Sequence, residues 1–328
     1  MRRFYEGQRT LVTGGLGFIG SNLAMRLLDL GAHVLVVDSL IPETGANLFN
    51  LEPVQDHPRL SVRTVDVRDV LAMQRLVRGQ SVIFNLAGQV SHIDSMQDPY
   101  TDLEINCRSQ LAMLEACRHN APEAKVVFAS TRQIYGRVPE EQLPVDERQP
   151  PNPVDVNGIN KLAGERYHVL YNNVYGIHAS VLRLTNTYGP RMQINDGRVI
   201  PNFMWQALRG ENLTVYGDGS QTRSFCYVSD EVDGILRLAR SAEHEPVNVG
   251  NPTEFTILEC ARKVIATTGS ASQIKFEALP QDDPKQRCPD ISKAKRVLGW
   301  EPKVELESGL KLSLEYFRRA VAKKEQLA

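Results

Sequence analysis

The segment Leu11-Val-Thr-Gly-Gly-Leu-Gly-Phe-Ile-Gly-Ser21 constrains the fold more than any other part of the chain. A short apolar run stops at glycines three apart, Gly14, Gly17 and Gly20, and an apolar helical pattern follows at once. Such a strand-to-helix turn aims several backbone N–H groups at one point with no side chains in the way. A pyrophosphate can then sit against the positive end of the following helix. The next apolar run, His33 to Val37, ends in Asp38, where a carboxylate can accept both hydroxyls of an adenosine ribose. Its charge also repels a 2′-phosphate, so NAD fits better than NADP. A glycine-rich turn alone can serve packing only. Strand, turn, helix and acid together read as a dinucleotide-binding unit.

Beyond that unit, apolar runs at Thr10–Thr13, Val34–Val37, Leu60–Val67, Val82–Leu86, Val126–Ala129 and Val181–Leu184 alternate with helix-length segments. The helices are expected at Gly17–Leu30, Val70–Val77, Tyr100–Asn120 and Val156–Tyr175. Near-continuous apolar strands suit a sheet covered on both faces, and the alternation implies right-handed crossovers. The expected class is α/β: a doubly wound parallel sheet of Rossmann type, with a smaller α/β substrate lobe. After Pro190 the texture changes, and Val215–Ser224 and Leu279–Asp290 read as loops around a pocket. Asp230–Ala239 reads as a helix, and Val247–Gly250 as a short strand that rejoins the sheet. Ser308–Lys323 is an amphipathic helix with Leu310, Leu314 and Phe317 on one stripe. These elements divide the chain into a dinucleotide-binding domain, residues 1–188 plus 226–250, and a lobe of residues 189–225 plus 251–328.

The 328 residues suffice for a large core with a smaller lobe. Lys and Arg total 38 against 39 acids, so no global field favours nucleic acid or an anionic membrane. No apolar run reaches the length of a membrane helix, and the first residues lack a secretory pattern. The five cysteines, Cys107, Cys117, Cys226, Cys260 and Cys288, show no metal-ligand spacing. Unpaired thiols in a reducing, cytoplasmic setting, with no bound metal, are expected.

Further motifs run in order along the chain: Asp66-Val-Arg-Asp69, Asn85-Leu-Ala-Gly88, Ala129-Ser-Thr-Arg-Gln-Ile-Tyr-Gly136 and Asn160-Lys-Leu-Ala-Gly-Glu165. Arg183-Leu-Thr-Asn-Thr-Tyr-Gly-Pro190 and Leu213-Thr-Val-Tyr-Gly-Asp-Gly-Ser-Gln-Thr-Arg-Ser-Phe225 complete them. With the glycine turn, these motifs resemble the extended short-chain dehydrogenase/reductase family of NAD-dependent nucleotide-sugar epimerases, dehydratases and decarboxylases. Asn195-Asp-Gly-Arg-Val199 and Leu298-Gly-Trp300 look most like the UDP-glucuronate decarboxylase branch.

The resemblance implies NAD contacts at Gly14, Gly17, Phe18, Ile19, Asp38, Asp66, Val67, Leu86, Ala87, Gly88 and Lys161. It makes the second lobe a nucleotide-sugar-binding lobe, with Gln133, Asn186, Arg198, Tyr216, Arg223 and Arg287 toward the substrate. Arg223 and Arg287 would contact its diphosphate and nucleoside ribose, and Arg198 a uronic carboxylate. In the family a Tyr four residues before the Lys takes the proton of a sugar hydroxyl while hydride leaves the same carbon. Here Lys161 is present and the earlier position is Asn157, whose amide has no proton to exchange near neutral pH. Thr131 matches the family hydroxyl that bonds the reacting oxygen. Tyr135, Tyr188 or a water held by Asn157 and Thr131 are candidates to replace the base. Altered chemistry, or binding of NAD and a sugar nucleotide without turnover, are the other readings. After Thr131 the chain has Arg132 and Gln133 where dehydratases of this family carry Asp-Glu and its decarboxylases keep a Glu at the second place, so the decarboxylase analogy loses a residue as well. C4 epimerisation needs neither acid, so a UDP-sugar 4-epimerase is the expected activity, with UDP-glucuronate decarboxylation the alternative. The helices Tyr100–Asn120 and Val156–Tyr175 correspond to those that pair in family dimers, so a homodimer is expected.

Overall fold

Alternate residues of the first strand face opposite ways, and the two faces meet different cores. Val12 packs with Leu23, Leu27 and Ile235, and Leu11 with Met73, Met113 and Tyr171. A strand buried on both sides must be apolar throughout, which is why these runs show no polar alternation. The computed structural model describes residues 1–41, 45–194, 197–278, 286 and 288–326. Its sheet has seven parallel strands: β1 (Arg9–Thr13), β2 (His33–Asp38), β3 (Leu60–Thr64), β4 (Val82–Asn85), β5 (Lys125–Thr131), β6 (Ala179–Leu184) and β7 (Val247–Val249). Their order is β7-β6-β5-β4-β1-β2-β3, so the strand order reverses beside β1, between β1 and β4. Ligands of open α/β sheets bind in the crevice at such a point.

Helices α1 (Phe18–Asp29) and α5 (Val228–Arg240) cover one face of the sheet. Helices α2 (Val70–Leu76), α3 (Ser109–Asn120) and α4 (Val156–Tyr175) cover the other. The expected strand over Leu60–Val67 ends earlier, at Thr64, and the expected helix over Tyr100–Asn120 is interrupted. Pro99–Leu103 is helical, Glu104–Arg108 widens to a π turn, and α3 follows. β7 joins the sheet against β6, as its apolar run implied.

The later residues form helices Val199–Leu208, Ile257–Thr268, Ser292–Leu298 and Leu306–Gln326 with short strand pairs. Val215–Ser224, expected to be a loop, holds the end of one strand, Leu213–Tyr216, and all of another, Thr222–Ser224. Their partners, Ile274–Glu277 and Glu254–Thr256, come from far along the chain. Of the loop expected at Leu279–Asp290, residues 279–285 and 287 lie outside the described residues. Buried Trp300 ties the lobe to the sheet, its indole N–H donating 2.9 Å to the Asp230 carbonyl on α5. All five cysteines are free thiols.

Candidate active site

The glycine turn is tight because backbone packs against backbone. Gly14 has φ +66°, where L side chains are strained, and a Cβ there would lie 3.0 Å from the Ala87 backbone after β4. A Cβ on Gly20 would overlap the Gly14 carbonyl, so only glycine lets α1 start this close to the turn. Gly17 caps α1 with no side-chain hydrogen bond, which leaves the first N–H groups, at Phe18 and Ile19, open to a ligand. The Asp38 carboxylate is buried at the end of β2 and accepts from the Leu16 N–H and the Leu40 N–H, each at 3.0 Å. Each oxygen keeps a second lone pair, so the acid both shapes the turn and can still accept a ribose hydroxyl.

Thr13 joins turn and crevice. Its hydroxyl donates to Asn85 Oδ1 at 3.0 Å and accepts from the Leu86 and Ala87 N–H groups at 3.1 Å. Leu86, Ala87 and Gly88 are thereby held across from Gly14. Asp66 and Val67 follow β3, and Val65 N–H bonds the Asp38 carbonyl at 3.0 Å, so they border the same crevice end. The Arg68 guanidinium, 2.6 Å from Asp66, holds that carboxyl below its ordinary range.

At the other end of the crevice Gly88 faces α4. A Cβ on Gly88 would lie 2.6 Å from Lys161 Nζ and 2.8 Å from Asn106 Oδ1. Lys161 is buried, donates 3.2 Å to the Ala129 carbonyl, and lies 5.2 Å over the Phe128 ring. Burial pulls its ammonium down to about 8, and the Asp102 charge opposes that fall. Asn106 Oδ1 is buried with no partner among the described residues. A cradle closed by glycines, an uncapped helix start, a free acid lone pair and an orphaned acceptor beside an ammonium all fit an adenine dinucleotide with two riboses.

Asn157 is 1% exposed, one turn before Lys161. Its amide donates to the Gln89 carbonyl at 2.8 Å and to Asp102 Oδ2 at 3.0 Å. Thr131 ends β5 and accepts from the Gln133 N–H at 3.2 Å, which leaves its own proton to donate. Neither tyrosine candidate for the missing base is placed for that work. Tyr135 is buried between Asn248 Oδ1, to which it donates at 2.7 Å, and the Arg183 guanidinium at 2.8 Å, and burial pushes its phenol up to about 12. Tyr188 is buried as well, donates 3.2 Å to the Leu306 carbonyl, and has its ionisation driven far upward by desolvation. Sequence could not show this, because the partners lie 113 and 118 positions away.

The residues expected to face a substrate are only partly brought together. Asn186, at φ +43°, donates 3.0 Å to the Ser224 carbonyl, beside buried Arg223 on the strand Thr222–Ser224. Arg198 is exposed at the start of Val199–Leu208, and Tyr216 is exposed at the end of its strand. Arg287 lies outside the described residues. A cavity of about 250 Å³ opens at the carboxyl ends of β5 and β6, lined by Arg132, Tyr135, Arg137, Thr185, Asn248 and Cys288 among others. Arg132 and Thr185 adjoin Gln133 and Asn186 respectively in the chain. Reading the sequence missed Asp102, Gln89 and Asn160, although the Asp102-to-Asn106 spacing of one helical turn was visible.

The profile of the GDP-mannose 4,6 dehydratase family matches residues 11–312. The chain belongs to that family. UDP-glucuronic acid decarboxylase 5 of Arabidopsis thaliana is 40% identical over 317 residues, covering 95% of this chain and 90% of that protein. UDP-glucose 4-epimerase from Thermotoga maritima, solved with UDP-glucose, superposes with TM-score 0.87 at 32% identity over 96% of this chain and all of that one. UDP-glucuronic acid 4-epimerase from Bacillus cereus, solved with UDP-glucuronic acid and NAD, gives 0.86 at 28% identity over 95% and 99%. The chain is therefore an enzyme of the NAD-dependent nucleotide-sugar epimerase and dehydratase class. The relatives favour the decarboxylase reading over the epimerase reading that the Arg132-Gln133 pair suggested.

Proposed function

We propose that the chain decarboxylates a UDP-uronic acid, with UDP-glucuronate the preferred substrate. The observation that carries this is the 40% identity to a UDP-glucuronic acid decarboxylase over nearly the whole chain, sheet and lobe alike. Gln133 departs from the Glu that the family's decarboxylases keep at that place, but the carbon–carbon cleavage itself needs no carboxylate there. A carbonyl at C4 stands β to the C6 carboxylate, so the C5–C6 bond can break into that carbonyl without a base to remove the C5 proton. Dehydration would need such a base.

The chemistry that a bound NAD would supply there is the uptake of a hydride from C4 and its return. Gly14, Gly17, Phe18 and Ile19 would take its pyrophosphate, Asp38 and Asp66 with Val67 its adenosine, and Leu86 to Gly88 with Lys161 its second ribose. Thr131 donates to the C4 oxygen. With both tyrosines engaged elsewhere, a water held by Thr131 and Asn157 would relay the C4 hydroxyl proton outward to solvent buffer as the hydride leaves. Gln133 and Asn186 face the sugar and phosphates, Tyr216, Arg223 and Arg287 the nucleoside diphosphate, and Arg198 the uronic carboxylate, guanidinium forks being suited to such oxyanions. Residues 1–188 plus 226–250 serve the cofactor, and residues 189–225 plus 251–328 the nucleotide sugar. A cytoplasmic homodimer is the working form.

A second reading, 4-epimerisation, is favoured by the likeness to epimerases of UDP-glucose and UDP-glucuronic acid, and shares the C4 oxidation. Incubation with UDP-glucuronate and NAD, followed by proton NMR, separates them. A UDP-pentose with release of carbon dioxide is expected. UDP-galacturonate instead would replace this reading by the epimerase, and binding with no product would leave a protein that holds both ligands without turnover.

A further inference from the structure

Asp102 is fully buried on Pro99–Leu103, and its hydrogen-bond donors among the described residues are three amides. Asn106 Nδ2 donates to Oδ2 at 2.9 Å, Asn157 Nδ2 to the same oxygen at 3.0 Å, and Asn160 Nδ2 to Oδ1 at 2.8 Å. A buried carboxylate needs a cation nearby to offset its desolvation, so the fold should balance it. The cation on which its charge bears is Lys161, one turn beyond Asn157 on α4, whose Nζ meets Asn106 Oδ1 against Gly88. Two titratable groups bear on it. Asp102 acts from Pro99–Leu103, and His168 from α4 itself. His168 stacks on Phe128 at 4.5 Å and is pulled down to about 4 by burial, so it carries no charge at neutral pH. Phe128 of β5 and Asn106 complete the surroundings and are uncharged.

The same cluster sets geometry. Asn157 and Asn106 both donate to the Gln89 carbonyl, at 2.8 and 3.0 Å, which fixes the loop just after Gly88. Asn106 spends its N–H groups on Asp102 and Gln89, so its unpartnered Oδ1 is turned toward Gly88, where Lys161 Nζ also arrives. An ammonium donor beside a carbonyl acceptor is what a hydroxyl needs on both sides.

We propose that Asp102 is a positioning residue of the cofactor site. Its carboxylate supplies the countercharge that keeps Lys161 an ammonium, and its grip on Asn106 and Asn157 aims Lys161 Nζ and Asn106 Oδ1 at one ribose hydroxyl. The second half rests on the reading that NAD binds here.

NAD affinity measured by calorimetry between pH 6 and 9.5 tests it, together with NMR titration of Lys161 in protein carrying 13C,15N-lysine, the signal assigned with Lys161→Arg. In the unaltered enzyme, affinity should fall above pH ~8 in step with the Lys161 signal. Asp102→Asn should move both midpoints down by about one unit, and Asp102→Glu should keep them near the original values. Folded Asp102→Asn with both midpoints unmoved overturns the proposal. Should Asp102→Asn not fold, Asp102→Glu decides: retained midpoints support the proposal, and lowered midpoints in folded protein overturn it. If the unaltered enzyme binds no NAD at any pH, the cofactor reading fails by itself, and the Lys161 titration still decides whether Asp102 holds its charge.

Discussion

At position 157 the surroundings are fitted to an amide. A tyrosine would not find the Gln89 carbonyl and Asp102 at 2.8 and 3.0 Å waiting for two N–H groups. Asn157→Tyr should therefore cost stability, about 1–3 kcal/mol for acceptors left short of donors, read as a lower urea midpoint. It would also place an ionisable hydroxyl one turn from the Lys161 ammonium, which lowers a phenol's pKa. NADH absorbance on mixing with NAD and UDP-glucuronate should rise several-fold over the unaltered enzyme. A folded variant whose NADH signal does not change would mean that the absent base is not what limits oxidation.

At the scale of elements, the glycine turn shows how closely sequence maps to structure when the constraint is local. Its second and third glycines should part in behaviour. Gly17 has φ −77°, and a Cβ there would lie 3.2 Å from the Gly14 carbonyl oxygen, a tight approach that a small shift relieves. Gly17→Ala should keep the fold within ~1 kcal/mol yet weaken NAD about tenfold or more, because the methyl stands where pyrophosphate meets backbone. Gly20→Ala should lose ~1–3 kcal/mol or more, since its methyl meets fixed backbone. Equal losses of stability in the two variants, read from urea curves, would refute this division of roles. The strands, their flanking helices and Asp38 were legible because period, glycine spacing and one acid at a strand end are all near-neighbour signals. The π turn at Glu104–Arg108 was not; it lies where Asp102 and Asn106 bond Asn157 of α4 and the Gln89 carbonyl, partners remote in the chain. Tyr135 and Tyr188 looked available for the same reason, their partners on β7, β6 and the start of the last helix being remote in the chain.

For the whole molecule, the outer side of the helical layer over α3 and α4 exposes a run of apolar side chains. Ile159, Leu170 and Val174 recur on one stripe of α4 and are 54%, 48% and 61% exposed, with Leu103 and Tyr100 on the neighbouring segment at 41% and 79%. Helix α4 of about 30 Å and α3 of about 18 Å, each roughly 10 Å wide, offer roughly 500 Å² of face, and the neighbouring Pro99–Leu103 segment adds to it toward the ~800 Å² per partner of a standard interface. A two-fold axis through this layer would set the pair against its own copy as a four-helix bundle, each stripe covering its equivalent. The crevice lies at the carboxyl ends of the strands, away from the outer helical face, so both sites of a dimer would stay open. Sedimentation of the unaltered protein at micromolar concentration should give a dimer, and Ile159→Asp with Leu170→Asp should give a folded monomer. A monomer at every concentration for the unaltered chain would refute the pairing, and a dimer that survives both charges would move the interface elsewhere. Because Asp102, Asn157 and Lys161 sit on the buried side of these helices, loss of the dimer should also loosen the Lys161 end of the crevice before it disturbs the glycine turn.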